Sequence, residues 1–243
     1  MGSPVRFPFG VTNASKGNPL AFFPAPDPTR VHTFFDDFDR FNTADWTITT
    51  TEAGASSATE ALTDADCGVL LITNDAADND ADWFQKVGES FLLTAGKKTW
   101  FKARFAVSDA TQSDWIMGLQ ITDTTPLAAG GDGATDGIFF QKDDGDTDID
   151  FYVQKNSTSG QLTSTAVTTA AAADTYMTLA FYFDGVRYVY LYKDDTQVAR
   201  VDLTTTLTTY LPDTELTVSF GIQNGEAVAK TMSIDYIFAS QER

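Results

Sequence analysis

Four aspartates surround one glycine in the segment Asp143-Asp144-Gly145-Asp146-Thr147-Asp148. Calcium takes about six to eight oxygen ligands, and Asp side chains in a tight turn can supply several of them. Asp143, Asp144, Asp146 and Asp148 are therefore calcium candidates. Asp75, Asp78, Asp80 and Asp82 form a second cluster of the same kind. Neither has the loop spacing of an EF-hand, with its mid-loop Gly and terminal Glu. The alternative is an acidic hairpin turn in which Asp caps backbone N–H groups.

Glycoside hydrolysis needs two carboxylates roughly 5 to 9 Å apart. The six Glu are Glu52, Glu60, Glu89, Glu215, Glu226 and Glu242, and no two are close in sequence. The nearest substitute is Asp146, Asp148 and Asp150, which alternate along one predicted strand face. Three adjacent like charges fit a solvated turn edge better than a catalytic pair. Nucleophilic triads lack a base, because His32 is the single histidine; at the junction of arm and body it caps or packs. Cys67 reads as a small buried hydrophobe. The run Gly130-Gly131-Asp132-Gly133 lacks the Lys of a phosphate-binding loop and reads as a loop tip.

Sugar recognition needs exposed aromatic rings. Trp83, Trp115, Tyr152 and Tyr210 are available, although aromatics at strand spacing are usually core. The stripe Tyr188, Tyr190, Tyr192 is sharper. Val189 and Leu191 alternate with it and make the better core face, which turns the tyrosines outward as a glycan or packing surface. The other reading is an inner sheet face covered by a loop.

The elements that must position these residues are strands. The chain has 243 residues, with 34 acidic against 16 basic side chains and a net charge of −18. Of the acids 28 are Asp, and there are 35 Thr, a bias toward turns and strands and away from helices. Such a charge argues against nucleic acid, which needs a basic face. No apolar run is long enough to span a membrane, and the first ten residues lack the apolar centre of a secretory signal.

Six of eight prolines lie in the first 28 residues. Residues 1–32 are therefore predicted as an extended arm, and 33–243 as a β-sandwich domain. Arg6, Lys16 and Arg30 against Asp27 leave the arm at +2 and the body at −20. Phe7, Phe9, Phe22 and Phe23 give the arm apolar anchors, unlike a solvated linker. Roughly twelve strands follow, among them Gly68–Thr73, Ser90–Thr94, Thr99–Val107, Trp115–Ile121 and Tyr176–Phe183. The dipeptide Asp184-Gly185 suits a two-residue type I′ hairpin turn. The stretch Thr168–Ala173 reads as a loop. Many short strands with Asp/Gly turns indicate an all-β, antiparallel two-sheet sandwich.

Three pieces resemble the concanavalin A-like (laminin G-like) jelly roll. They are Phe34-Phe35-Asp36-Asp37-Phe38 followed by Trp46, the run Tyr176–Val201, and Met232-Ser233-Ile234-Asp235-Tyr236-Ile237. The resemblance covers residues 33–240. It implies that the last strand pairs beside the first. It also implies that a hydrolase of this fold would carry Glu-x-Asp-x-x-Glu on one strand, and this chain does not. Lectins, glucanases, adhesion modules and viral structural proteins share the fold, so fold does not decide function.

An arm joined to such a sandwich resembles capsid decoration (cement) proteins of tailed bacteriophages. That resemblance implies a non-enzymatic virion protein on the outer capsid surface. Its partners would be the major capsid protein and neighbouring copies, as a trimer or other symmetric cluster, with no nucleic acid or membrane and no obligatory cofactor. Arg6, Phe7, Phe9, Lys16, Phe22, Phe23 and Arg30 would anchor it. The alternatives are a carbohydrate-binding, lectin-like adhesion module and a degenerate glucanase.

Overall fold

A computed structural model describes residues 28–54, 57–63, 65, 67–127, 134–156, 167–203 and 207–243. Two antiparallel sheets pack face to face. The eight-stranded sheet has the order β13 (Thr196–Asp202), β12 (Tyr188–Lys193), β11 (Met177–Phe183), β6 (Thr99–Val107), β15 (Thr231–Glu242), β4 (Leu70–Thr73), β3 (Thr59–Leu62). β1 (Val31–Asp36) lies against the second half of β15. The seven-stranded sheet has the order β10 (Thr168–Thr169), β9 (Asp148–Gln154), β8 (Gly137–Lys142), β7 (Ser113–Gln120), β14 (Thr217–Asn224), β5 (Ala81–Lys86), β2 (Trp46–Thr51). This is the concanavalin A-like jelly roll, with the first and last strands paired as the resemblance implied. No helix among the described residues is long and apolar enough to cross a membrane.

Period-two alternation builds the core. Along β11, Met177, Leu179, Phe181 and Phe183 are buried while the residues between them are half-buried. Phe101 on β6 stacks on Phe181 at 5.3 Å, and Phe181 meets Phe151 of the other sheet at 5.6 Å. Phe105 meets Trp115 edge-on at 5.0 Å. Trp115 is therefore a core residue.

Several elements differ from expectation. β2, β3, β5 and β10 are additional strands. β10 occupies part of the expected Thr168–Ala173 loop. Ser90–Thr94 contributes only the bridge Phe91↔Leu216. The type I′ turn sits at Asp194–Asp195, where both residues have positive φ (49° and 60°) between the paired Lys193 and Thr196. At Asp184 the connection is longer: Asp184 Oδ1 accepts from the N–H groups of Val186, Arg187 and Tyr188. This side chain caps three amides and replaces the two-residue turn.

The strand ends divide the molecule into two poles. At one pole the Arg243 N–H donates to the Arg30 carbonyl, and Gly96 N–H donates to Gly185 O. Residues 28–30 lead into β1 here. At the opposite pole four turns interlock: Gly145 N–H donates to Thr111 O, Gly225 N–H to Gln112 O, and Asn79 N–H to Asn224 O. The Asp194–Asp195 turn belongs to the same pole, at the far end of the β11–β12 hairpin from Asp184. These turns carry Asp75, Asp78, Asp80, Asp109, Asp143, Asp144, Asp146, Asp194, Asp195 and Glu226.

Candidate functional site

Two sheet faces point away from the core, and they differ in kind. On the seven-stranded sheet the register places Trp83, Gly221, Ile116 and Gln141 in one row, and Gly118 and Phe139 in a neighbouring one. Gly118 and Gly221 have no room for a side chain. A Cβ at 118 would lie 2.5 Å from Phe139, and one at 221 would lie 2.6 Å from the Trp83 ring. Their absence of Cβ lets the large rings lie flat over the strands. Phe139 stacks on Tyr152 at 5.4 Å, and Leu127 packs with Ala81, Trp83, Ile116, Phe139 and Tyr152 in a second apolar cluster. Trp83 and Tyr152 are thus buried, and Tyr210 packs half-buried against the main core. None of the four aromatics singled out for sugar stacking presents an open ring.

The carboxylates of this face are not paired for hydrolysis. Asp114 is pushed up to about 6 by burial, with Asp144 and Asp143 adding to it. Asp150 reaches about 6 through burial and then Asp143, Asp146 and Asp148. Neither acid raises the other. Two and four residues beyond Asp114 stand Ile116 and Gly118, so its strand offers no second carboxylate on that face.

The outer face of the eight-stranded sheet carries an aromatic row. Trp100, Tyr182 and Tyr190 are cross-strand partners on β6, β11 and β12. Their rings stack at 5.4 Å and 5.8 Å, tilted by only 20° and 19°. Tyr188 meets Tyr190 edge-on at 5.9 Å. Arg187 and Arg200 lie over the Tyr188 ring at 4.6 Å and 4.3 Å. Arg187 also grips Asp202 with two hydrogen bonds of 3.0 Å and 2.6 Å. Val189 and Leu191 are fully buried, so Tyr188, Tyr190 and Tyr192 face outward and are half-buried. Tyr192 stands beyond a bulge, opposite Ala180. Trp100 and Tyr182 escaped the sequence reading. Pairing the hairpin strands in register would have found Tyr182, because it stands directly opposite Tyr190.

Asp143, Asp144 and Asp146 lie in the β8–β9 turn, and Asp148 opens β9. Asp146 Oδ1 caps the N–H groups of Thr147 and Asp148, and Asp143 Oδ1 accepts from Gln141. Among the described residues, Glu52, Asp75 and Asp80 bring one carboxylate oxygen each within 4.8 Å of one another. His32 packs against Phe91 at 4.9 Å and bonds Ser90 Oγ at 3.0 Å. Cys67 is exposed, contrary to expectation. Its neighbour Gly68 presses against the Phe38 backbone and leaves the thiol outside. Arg30 is exposed where its carbonyl accepts from the Arg243 amide. Arg6, Phe7, Phe9, Lys16, Phe22 and Phe23, like the Gly130–Gly133 run, lie outside the described residues.

Solved structures share this fold at low sequence identity. An endo-1,3-β-glucanase from Streptomyces sioyaensis aligns with a TM-score of 0.59 at 16% identity, covering 90% of this chain and 99% of that one. A Shewanella oneidensis MR-1 protein of unknown function gives 0.58 at 15%, covering 88% and 87%. The carbohydrate recognition domain of Emp47p gives 0.57 at 12%, covering 88% and 98%. The sequence matches no protein-family model and no curated protein. These likenesses establish the sandwich and leave function to the site.

Proposed function

We propose that the chain is a non-enzymatic virion structural protein, a capsid decoration protein held on the shell by its N-terminal arm. The observation that carries this reading is the separation of the poles. The chain enters the body at the pole where its ends meet, and ten carboxylates occupy the turns at the other. A body tethered at the first pole turns a strongly acidic end to solvent. Like charge there keeps neighbouring copies and polyanions away. The closed face of the seven-stranded sheet and its unpaired carboxylates support a role without catalysis. The partners are then the major capsid protein and adjacent copies in a symmetric cluster. Binding the assembled shell and not free subunits stabilises the shell by mass action.

A second reading is a lectin-like module, favoured by the outward-facing, half-buried Trp100–Tyr182–Tyr190 row and by the sugar-recognising neighbour. One experiment separates the two. The full-length chain with Phe7, Phe9, Phe22 and Phe23 replaced by Ser is mixed with undecorated shells, and both it and the native chain are applied to a glycan array. The decoration reading expects loss of shell binding at unchanged melting temperature and a blank array. Full decoration by the Ser variant removes the anchoring role. Glycan signal that disappears in Trp100→Ala establishes the lectin reading.

A further inference from the structure

The acidic pole handles its buried charges in two different ways. Lys230, whose side chain is 4% exposed, bridges Asp109 at 2.7 Å and Glu226 at 2.6 Å. Lys142, also buried, donates to the Thr111 carbonyl at 2.6 Å and to that of Ser113. A third group of acids has no such lysine. It lies where the β2–β3 connection meets the β4–β5 connection, and comprises Glu52, Glu60, Asp75, Asp80 and Asp82. Among the described residues, none of these five takes part in an ion pair.

One carboxylate oxygen from each of Glu52, Asp75 and Asp80 falls within 4.8 Å of the others. Backbone amides orient the cluster from one side. Asp80 accepts from Ala53 N–H at 2.7 Å and Ala77 N–H at 3.1 Å, and Glu52 Oε1 accepts from Ala58 N–H. Gly54 closes against Asp75, where a Cβ would stand 2.6 Å from Oδ2. A second observation is independent of this clustering. Asp82 is 0% exposed, and its Oδ2 has no hydrogen-bond partner although Oδ1 accepts from Thr50 at 2.7 Å. Asp82 stands opposite Thr50, two residues beyond Asp80 and two short of Glu52 on the paired strand, so period two puts it on the same face as these acids. Glu52 Oε2 is likewise buried without a partner. Burial of unpaired carboxylates is costly unless a cation or protons neutralise them.

We propose that Glu52, Asp75 and Asp80 bind a calcium ion, with Asp82 and Glu60 supplying further negative charge behind them. The donor set is all carboxylate oxygen, without nitrogen or sulfur, which suits a hard cation. An irregular cluster from two connections fits calcium's flexible coordination better than the strict octahedron of magnesium. The ion would staple the two sheets together, because β2 and β5 belong to one sheet and β3 and β4 to the other.

The test uses the full chain stripped of metal with EDTA. Titration with CaCl2 should release or absorb heat at a stoichiometry of one. The melting temperature should rise by about 5 °C or more at saturation, and MgCl2 should act more weakly. The double variant Glu52→Gln/Asp75→Asn should lose the calcium response. Absence of heat and of any shift in the native chain overturns the proposal, and so does a full calcium response in the variant. Should the variant not fold, native crystals soaked in terbium decide. An anomalous peak about 2.3–2.6 Å from Glu52, Asp75 and Asp80 supports the site. A peak only at the Asp143–Asp148 turn, or none, overturns it.

Discussion

At the scale of single residues, Gly68 shows how closely the body is fitted. A Cβ at this position would lie 1.8 Å from the Phe38 carbonyl oxygen. Phe38 is itself held at φ 50°, its N–H bonded to Asp36 Oδ1 at 2.8 Å. Its ring is fully buried, 6.2 Å from both Trp46 and Phe220. Backbone cannot yield as a flexible side chain can, so Gly68→Ala should cost about 3 kcal/mol, the upper end of overpacking effects. Gly96→Ala is the comparison. It has φ 91° and open space around it, so the loss there should be only about 1–2 kcal/mol of conformational strain. Urea unfolding of both variants measures the difference. Equal losses would mean that the approach of Gly68 to Phe38 is not a constraint.

At the scale of elements, the Asp184–Arg187 connection is held mainly by one carboxylate. Asp184 Oδ1 accepts three amide protons at 2.7 to 3.0 Å. Burial opposes its charge, but these bonds outweigh it and hold the carboxyl below its usual range. Asp184→Ala should destabilise the chain by about 1–3 kcal/mol, and Asp184→Asn, which keeps an acceptor, by less. Chemical denaturation of the pair checks the order, and a larger loss for Asn would contradict it. What the sequence made legible follows the same division. β6 was read residue for residue because its apolar alternation is clean. β5 was missed because Asp82 and Gln85 interrupt it, and both are buried. Trp83 on that strand faces Leu127 and not solvent, a fact set by a loop distant in sequence. The outward tyrosines were legible because period two settles which face a strand buries. The ring stack was not, since it depends on cross-strand register. Glu52 was missing from the acidic cluster for a similar reason: only the pairing of β2 with β5 brings it beside Asp80.

At the scale of the whole molecule, the net charge of −18 is unevenly disposed, and the protonation of a few carboxylates should govern stability. Asp82 is raised to about 7, and Asp114 and Asp150 to about 6, in each case chiefly by burial. A carboxyl whose folded pKa is raised stabilises the fold below its unfolded value and loses that contribution as pH climbs through the folded one. Asp109 works in the opposite direction. Burial is outweighed there by Lys230 and by the Gln112 and Thr111 amides, which leave it at about 2, and its contribution disappears only in strong acid. In EDTA, the melting temperature should therefore be highest near pH 4 to 5 and decline through pH 6 to 7. A scanning-fluorimetry series that is flat or rising from pH 5 to 8 would refute this. The meeting of the chain ends has a further consequence. Because the Arg243 amide already bonds the Arg30 carbonyl, a short peptide could join these positions without moving a strand. The Asp194–Asp195 turn, exposed at the far pole, is then a natural place for new termini. Such a circular permutant would keep all fifteen described strands while carrying the arm, or any fused cargo, on the opposite side of the body.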